Sequence, residues 1–194
     1  VYQRVLALAN KEQRGYITPQ EFNLLANQAQ MSIFESYFYA MNLALADIAP
    51  ECVISREEHL STYDGLPTKK KLGLLTEHKG LSQDLYNDIW KAKKAKTVQL
   101  INSMTTDHRM AHTLSELKKS GYKVYVGSNS VKHTIKMMLL RRGLIEFVDE
   151  IFSNQDVNHP KPHPEIYLRC MIHAGVSPNE TIIIEDSHVG RKAA

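Results

Sequence analysis

Two adjacent carboxylates, Glu185 and Asp186, close the run Thr181-Ile182-Ile183-Ile184 and are followed by Ser187 and Gly190. Acids placed side by side repel one another unless a cation sits between them. Oxygen donors at this density suit a hard ion such as Mg2+. The plainer reading of the same turn makes Asp186 a helix N-cap. Two more groups belong with this pair. Ser128, with Asn129 beside it, follows the short apolar run Lys123-Val124-Tyr125-Val126, and Lys161 lies in His159-Pro160-Lys161-Pro162-His163-Pro164. A hydroxyl, an ammonium and a carboxylate pair suit a phosphate. The hydroxyl and neighbouring N–H groups can hold phosphoryl oxygens, and the lysine can neutralise a carboxylate and the phosphate together. The acids would hold an ion that offsets developing charge. Ser128 could instead cap the helix that begins near Val131, and Lys161 could be a surface lysine. His159, His163 and His188 do not have the spacing of a zinc site and read as loop surface.

For these groups to meet, the chain must alternate strands and helices. Residues 107–120 form a helix pattern closed by Gly121, and 123–126 a strand. Val131 to Arg142 is helical and ends at Gly143, Glu150-Ile151-Phe152 is a strand, and Pro164 starts a helix that ends at Gly175. Thr181 to Ile184, apolar without alternation, reads as a strand buried on both faces. Such alternation predicts a parallel sheet with right-handed crossovers, and ligands gather at the carboxyl ends of its strands.

Upstream the pattern is helical. Thr18-Pro19-Gln20-Glu21 is a helix start, and helix-forming composition continues to about Asp47. Tyr37, Phe38 and Tyr39 read as packing groups. Ser55-Arg56-Glu57-Glu58 is a second capped start, and Thr62-Tyr63-Asp64-Gly65-Leu66-Pro67-Thr68 is rich in turn residues, with Gly65 supplying turn geometry. Lys69-Lys70-Lys71 opens the next helix and reads as a solvated face, with phosphate steering as the alternative. A long helix to about Ser103 carries Lys91, Lys93, Lys94 and Lys96 on its polar side.

The 194 residues carry 43% hydrophobic and 23% charged side chains with a net charge of +3. This composition fits a globular chain and gives no footprint for nucleic acid. No apolar run has the length of a membrane span. Cys52 and Cys170 have no metal-type spacing and fit a reducing, cytoplasmic setting.

Ser128-Asn129, Lys161-Pro162 and Glu185-Asp186-Ser187 resemble, in order and context, motifs II, III and IV of the haloacid dehalogenase (HAD) superfamily. The resemblance points to the phosphatase and β-phosphoglucomutase-like branch with a helical cap. It covers roughly residues 40–194, and Lys161-Pro162-His163-Pro164-Glu165-Ile166-Tyr167 is typical of it. It implies an α/β fold: a Rossmann-like HAD core plus an all-helical cap module. The expected division is 1–39 as a foreign-looking helical segment, 40–104 as the cap-like module and 105–194 as the core, truncated at its C-terminus. It implies catalytic roles for Ser128 and Lys161, substrate contacts for Asn129, Gly65 and Lys69, and Mg2+ ligation by Glu185 and Asp186. The implied activity is Mg2+-dependent phosphomonoester hydrolysis, or phosphomutase chemistry, through a phospho-aspartyl intermediate on a small phosphorylated metabolite. No nucleic acid or membrane partner is implied.

The sequence departs from the family at motif I, an Asp-x-Asp on the first strand. The resemblance places it within about residues 22–30, which read Phe22-Asn23-Leu24-Leu25-Ala26-Asn27-Gln28-Ala29-Gln30, and the first aspartate in the chain is Asp47. Asn27 offers no anionic oxygen. The expectation is therefore a chain with the first core strand missing and without turnover. The alternative is a non-catalytic or chimeric HAD-like protein that binds a phosphorylated ligand, or a protein partner through residues 1–39.

Overall fold

A computed structural model describes residues 39–185 and 187–194. The expectations for the Thr18 helix start, the motif I region, Tyr37, Phe38 and Asp186 lie outside the described residues. From the first described residue the chain is helical over 39–48 (α1), and Pro50–Cys52 follows as a 3-10 turn. Helix α2, Arg56–Glu58, runs on into a π-helical turn at His59–Tyr63. It starts where the sequence predicts. Ser55 Oγ accepts from Glu58 N–H at 3.1 Å, and Glu58 Oε2 accepts from Ser55 N–H at 2.7 Å, a reciprocal cap for two orphan donors. Helices α3, Thr68–Lys79, and α4, Tyr86–Ser103, complete the all-helical part.

This part has its own apolar core. Met41, Leu45, Ile54, Tyr63, Leu72, Leu75, Leu81 and Ile89 pack into one buried cluster. A fully buried Leu, Ile or Met contributes about 1.5–3 kcal/mol. The cluster therefore ties together α1, the π-helical turn, α3 and α4.

Beyond Ser103 the alternation appears. Helix α5, His108–Lys119, is capped by Asp107, whose side chain accepts from Met110 N–H at 3.0 Å. Strand β1, Tyr125–Gly127, leads to α6, Lys132–Arg141, and strand β2, Glu150–Phe152, to α7, Glu165–Ala174, which ends at Gly175 in the left-handed region. Helix α8, His188–Ala193, follows the acidic turn. β1 and β2 pair in parallel, with Tyr125 opposite Glu150, Val126 opposite Ile151 and Gly127 opposite Phe152. Ile135, Leu139 and Ile151 are buried on one side of this pair, and Ile166, Tyr167 and Ala193 form a second cluster with Phe152 and Ile183.

The apolar run before the acids is not a strand buried on both faces. Among the described residues the sheet has two strands, and Thr181–Ile184 has no strand partner. Ile183 packs inward, whereas Ile182 and Ile184 are 38% and 63% exposed. A β ladder needs a neighbour to take up its N–H and C=O groups. Without one in the described structure the segment stays extended and covers one side only. No helix among the described residues is long and apolar enough to cross a membrane.

Candidate functional site

Lys161 stands at the centre of the site. It is 8% exposed, on the loop between β2 and α7, and its peptide bond to Pro162 is cis. Its Nζ donates to the Gly127 carbonyl at 2.9 Å and forms an ion pair with Glu185 Oε1. The Tyr167 hydroxyl donates to the same Glu185 oxygen, and the Lys161 ammonium sits 4.8 Å from the centre of the Tyr167 ring. Three elements thus converge: the end of β1, the loop after β2 and the segment before α8. The ammonium is held by a carbonyl, a carboxylate and an aromatic face, the partners that a buried cation needs.

Ser128 and Asn129 follow β1 directly. Asn129 bonds Lys161 twice through the backbone: Oδ1 accepts from Lys161 N–H at 3.0 Å, and Nδ2 donates to the Lys161 carbonyl at 3.2 Å. Nδ2 also lies 3.3 Å from the Gly65 carbonyl. One amide therefore ties the helical part to the core. Ser128 lies between Gly127 and Asn129, both bonded to Lys161, so it borders the same crevice. Its Oγ accepts from Ser130 N–H at 3.2 Å, and α6 is preceded by Val131 with no side-chain cap, so the helix-cap reading of Ser128 does not hold.

Gly65 has φ +69, a conformation that disfavours a side chain, and a Cβ there would come within 3.0 Å of Val189 Cβ and 3.3 Å of Ser187 Oγ. Its place is thus fixed by turn geometry and by close approach to the turn after Glu185. In that turn Ser187 caps α8, with Oγ accepting from Gly190 N–H at 2.9 Å. Ser187 Oγ also lies 3.4 Å from Glu185 Oε2. Lys69 is exposed, and nothing described joins it to the crevice.

Mg2+ binds through one or two carboxylates, with water and phosphate oxygens completing its shell. Glu185, the expected ligand among the described residues, fits in kind. Glu185 presents an anionic carboxylate whose Oε1 is shared with Lys161 and Tyr167, leaving Oε2 toward Ser187. Asp186, expected as the second ligand, lies outside the described residues.

Several groups were not singled out by sequence. Tyr167 is the second donor to Glu185; the visible signal is its place one helical turn into the Pro164 helix. Gly190 is needed because a Cβ there would collide with the Glu185 carboxylate. Lys71 departs from the solvated-face expectation: Lys69 and Lys70 are exposed, but Lys71 is buried. Burial, and then the charge of Lys93, push its ammonium pKa down to about 8. Lys93, also expected on a solvated face, is half-buried and shifted downward by burial. Asp64 Oδ1 lies 3.7 Å from His59 Nε2, and hydrogen bonding to His59 holds its carboxyl below the usual range. Beside the site, burial pushes the Cys170 thiol up to about 11.

A loop-borne lysine paired to a carboxylate beyond a parallel β pair, tied through Asn129 and Gly65 to a helical module, is an α/β arrangement. The match of residues 35–194 to the haloacid dehalogenase-like hydrolase family places this chain in that family. Pyrophosphatase PpaX of Bacillus cereus (strain AH820) is 31% identical over 120 residues, covering 56% of this chain and 56% of that protein. The chain thus spans about half the length of the curated relatives it matches. Among solved structures, CbbY (mutant D10N) of Rhodobacter sphaeroides, in complex with xylulose-(1,5)bisphosphate, aligns with TM-score 0.70 and 22% identity over 82% of this chain and 74% of that one. β-Phosphoglucomutase of Clostridium difficile aligns with TM-score 0.67 and 23% identity over 81% and 72%. The structural likenesses show the fold: a Rossmann-like HAD core with a helical cap.

Proposed function

We propose that the crevice around Lys161 binds the phosphoryl group of a small phosphorylated metabolite together with Mg2+, and that this chain does not turn it over. The observation that carries the reading is the buried Lys161 ammonium, fixed between the Gly127 carbonyl and Glu185 beside Ser128. A fixed cation next to a hydroxyl stabilises phosphoryl oxygens without reorganising when the ligand arrives. Ser128 binds a phosphoryl oxygen, Lys161 supplies the charge, and Asn129 holds the Lys161 backbone in place. Glu185 and Asp186 hold the ion, which neutralises charge on the phosphate. The named relatives agree in kind: one is a pyrophosphatase, and one structure holds a sugar bisphosphate.

The expectation of no turnover rests on the sequence. A carboxylate nucleophile is what such a site needs to form a covalent intermediate. The first aspartate of the chain is Asp47, after the stretch where the family resemblance puts that nucleophile. The same fact favours the second reading, a non-catalytic or chimeric protein whose residues 1–39 engage a protein partner. The division into residues 1–39, a cap-like 40–104 and a core 105–194 is part of this proposal, and the two free thiols accord with a cytoplasmic setting.

The test is an assay of the purified chain with Mg2+ and p-nitrophenyl phosphate. The expected rate equals the background. Mg2+-dependent release that disappears in Asp186→Ala would overturn the claim that turnover is lost.

A further inference from the structure

The loop that carries Lys161 has an outer side with a separate set of donors. His159 and His163 flank Lys161 by two residues each, and Glu165 begins α7. The spacing alone gives no zinc pattern, but the folded loop brings the three together. The His159 and His163 ring centroids are 4.8 Å apart, and one ligand atom from each of the three side chains lies within 4.8 Å of the others. His159 Nδ1 is 3.1 Å from Glu165 Oε2. A tetrahedral ion with N and O ligands at about 2.0–2.1 Å requires ligand-to-ligand separations of about 3.3 Å. The His159–Glu165 edge is already of that length, and His163 needs to close by no more than about 1.5 Å to complete a face.

We infer that His159, His163 and Glu165 form a binding site for a borderline divalent transition metal, Zn2+ being the representative ion. The site is separate from the crevice around Glu185.

The donor chemistry selects the ion. Two imidazoles and one carboxylate favour Zn2+, Ni2+, Co2+ or Cu2+ over Mg2+, which prefers oxygen alone. The carboxylate is already oriented. Glu165 Oε1 accepts from Asn158 N–H at 3.1 Å and from Arg169 Nε and Nη2 at 3.0 and 2.8 Å, and Oε2 accepts from His159 N–H at 2.9 Å. Such outer partners fix a ligand's direction and are a regular part of metal sites. His163 Nδ1 accepts from Glu165 N–H at 3.2 Å, so binding exchanges one weak hydrogen bond for a metal bond or engages the other ring nitrogen. Both histidines are exposed, which leaves the fourth position to water and gives the ion a direct path.

The test uses the intact chain and Zn2+, with binding read by competition against a chromophoric chelator. The expected result is one Zn2+ per chain, not displaced by millimolar Mg2+. Affinity should fall at least about tenfold in both His159→Ala and His163→Ala, and by a similar factor in Arg169→Leu through a loosened Glu165. The two histidine variants replace exposed side chains and should keep the parent's circular dichroism and melting temperature. The absence of stoichiometric Zn2+ binding, or unchanged affinity in both folded histidine variants, overturns the inference; the latter would move the ligands to others of the nine histidines.

Discussion

Among the described residues two lysines are buried to the same degree, 8% exposed each, one in the core and one in the cap, and their surroundings treat them in opposite ways. Lys161 in the core is surrounded by partners: Glu185, the Gly127 carbonyl and the Tyr167 ring. Lys71 in the cap feels Asp64 only at longer range and is pushed the other way by burial and by Lys93. No described residue forms an ion pair with Lys71. Burying a charge costs several kcal/mol unless partners replace its water. In the core the fold supplies the partners, and the cation becomes a fixed feature of the crevice. In the cap the cost stays visible as a depressed pKa. The difference separates a charge whose removal harms the fold from one whose removal relieves it.

Removing the core lysine should have the largest effect. Lys161→Met leaves Glu185 buried without its counter-charge, and we expect a loss of about 3–5 kcal/mol in chemical unfolding. Adding Glu185→Leu to that variant should recover most of the loss, because an apolar pair of similar volume replaces a buried ion pair at little cost. A single variant as stable as the parent would show that the pairing contributes nothing.

The cap lysine should respond with the opposite sign. The folded pKa of Lys71, about 8, lies below its ordinary 10.5, so protonation favours the unfolded chain. Its contribution to stability is most favourable above pH 10.5, declines as the pH falls toward 8, and is constant below that. Over this window the shift corresponds to about 3 kcal/mol. Lys71→Met should therefore stabilise the protein by up to about 3 kcal/mol at pH 7, with a gain that shrinks as the pH rises toward 10.5. Unfolding of parent and variant at pH 7 and pH 10 reads the difference directly. A destabilised variant at pH 7 would mean that Lys71 has a partner worth more than its desolvation.

Smaller effects come from the groups that pack the core site and tie it to the cap. Gly190→Ala places a methyl group against the Glu185 carboxylate. Such overpacking should cost about 1–3 kcal/mol. Asn129→Ala removes the bonds to Gly65 and to both backbone groups of Lys161. We expect about 1–2 kcal/mol, together with faster proteolysis in the 62–68 loop; unchanged cleavage there would show that the cap does not depend on this bridge.

What the sequence made legible follows from which signals are local. The helix that begins at about Asp107, the capped start at Ser55, the stop at Gly175 and the strand Glu150–Phe152 are decided by a few adjacent residues, and all appear where expected. The Ile182–Ile184 run was misleading because three isoleucines announce burial, whereas a strand also needs a neighbour for its backbone. Lys71 was hidden because three consecutive lysines point in three directions on a helix, and only tertiary packing decides which one turns inward. The convergence of Lys161, Asn129 and Glu185 was suggested by motif order. The roles of Tyr167 and Gly190 were not, since a hydroxyl near a carboxylate and a missing Cβ carry no pattern of their own. His159, His163 and His188 read as loop surface, and His159 and His163 are exposed on the loop; what sequence spacing does not show is that the loop path brings Glu165 beside those two histidines.

The central claim is that the Lys161 crevice binds a phosphoryl group. Calorimetric titration of inorganic phosphate into the intact chain with Mg2+ tests it directly. Saturable binding to one site is expected, weakened at least about tenfold in Ser128→Ala, which removes one charge-assisted hydrogen bond and leaves the Lys161–Glu185 pair intact. Absence of saturable binding by the parent, or equal affinity in the folded Ser128→Ala variant, would contradict it.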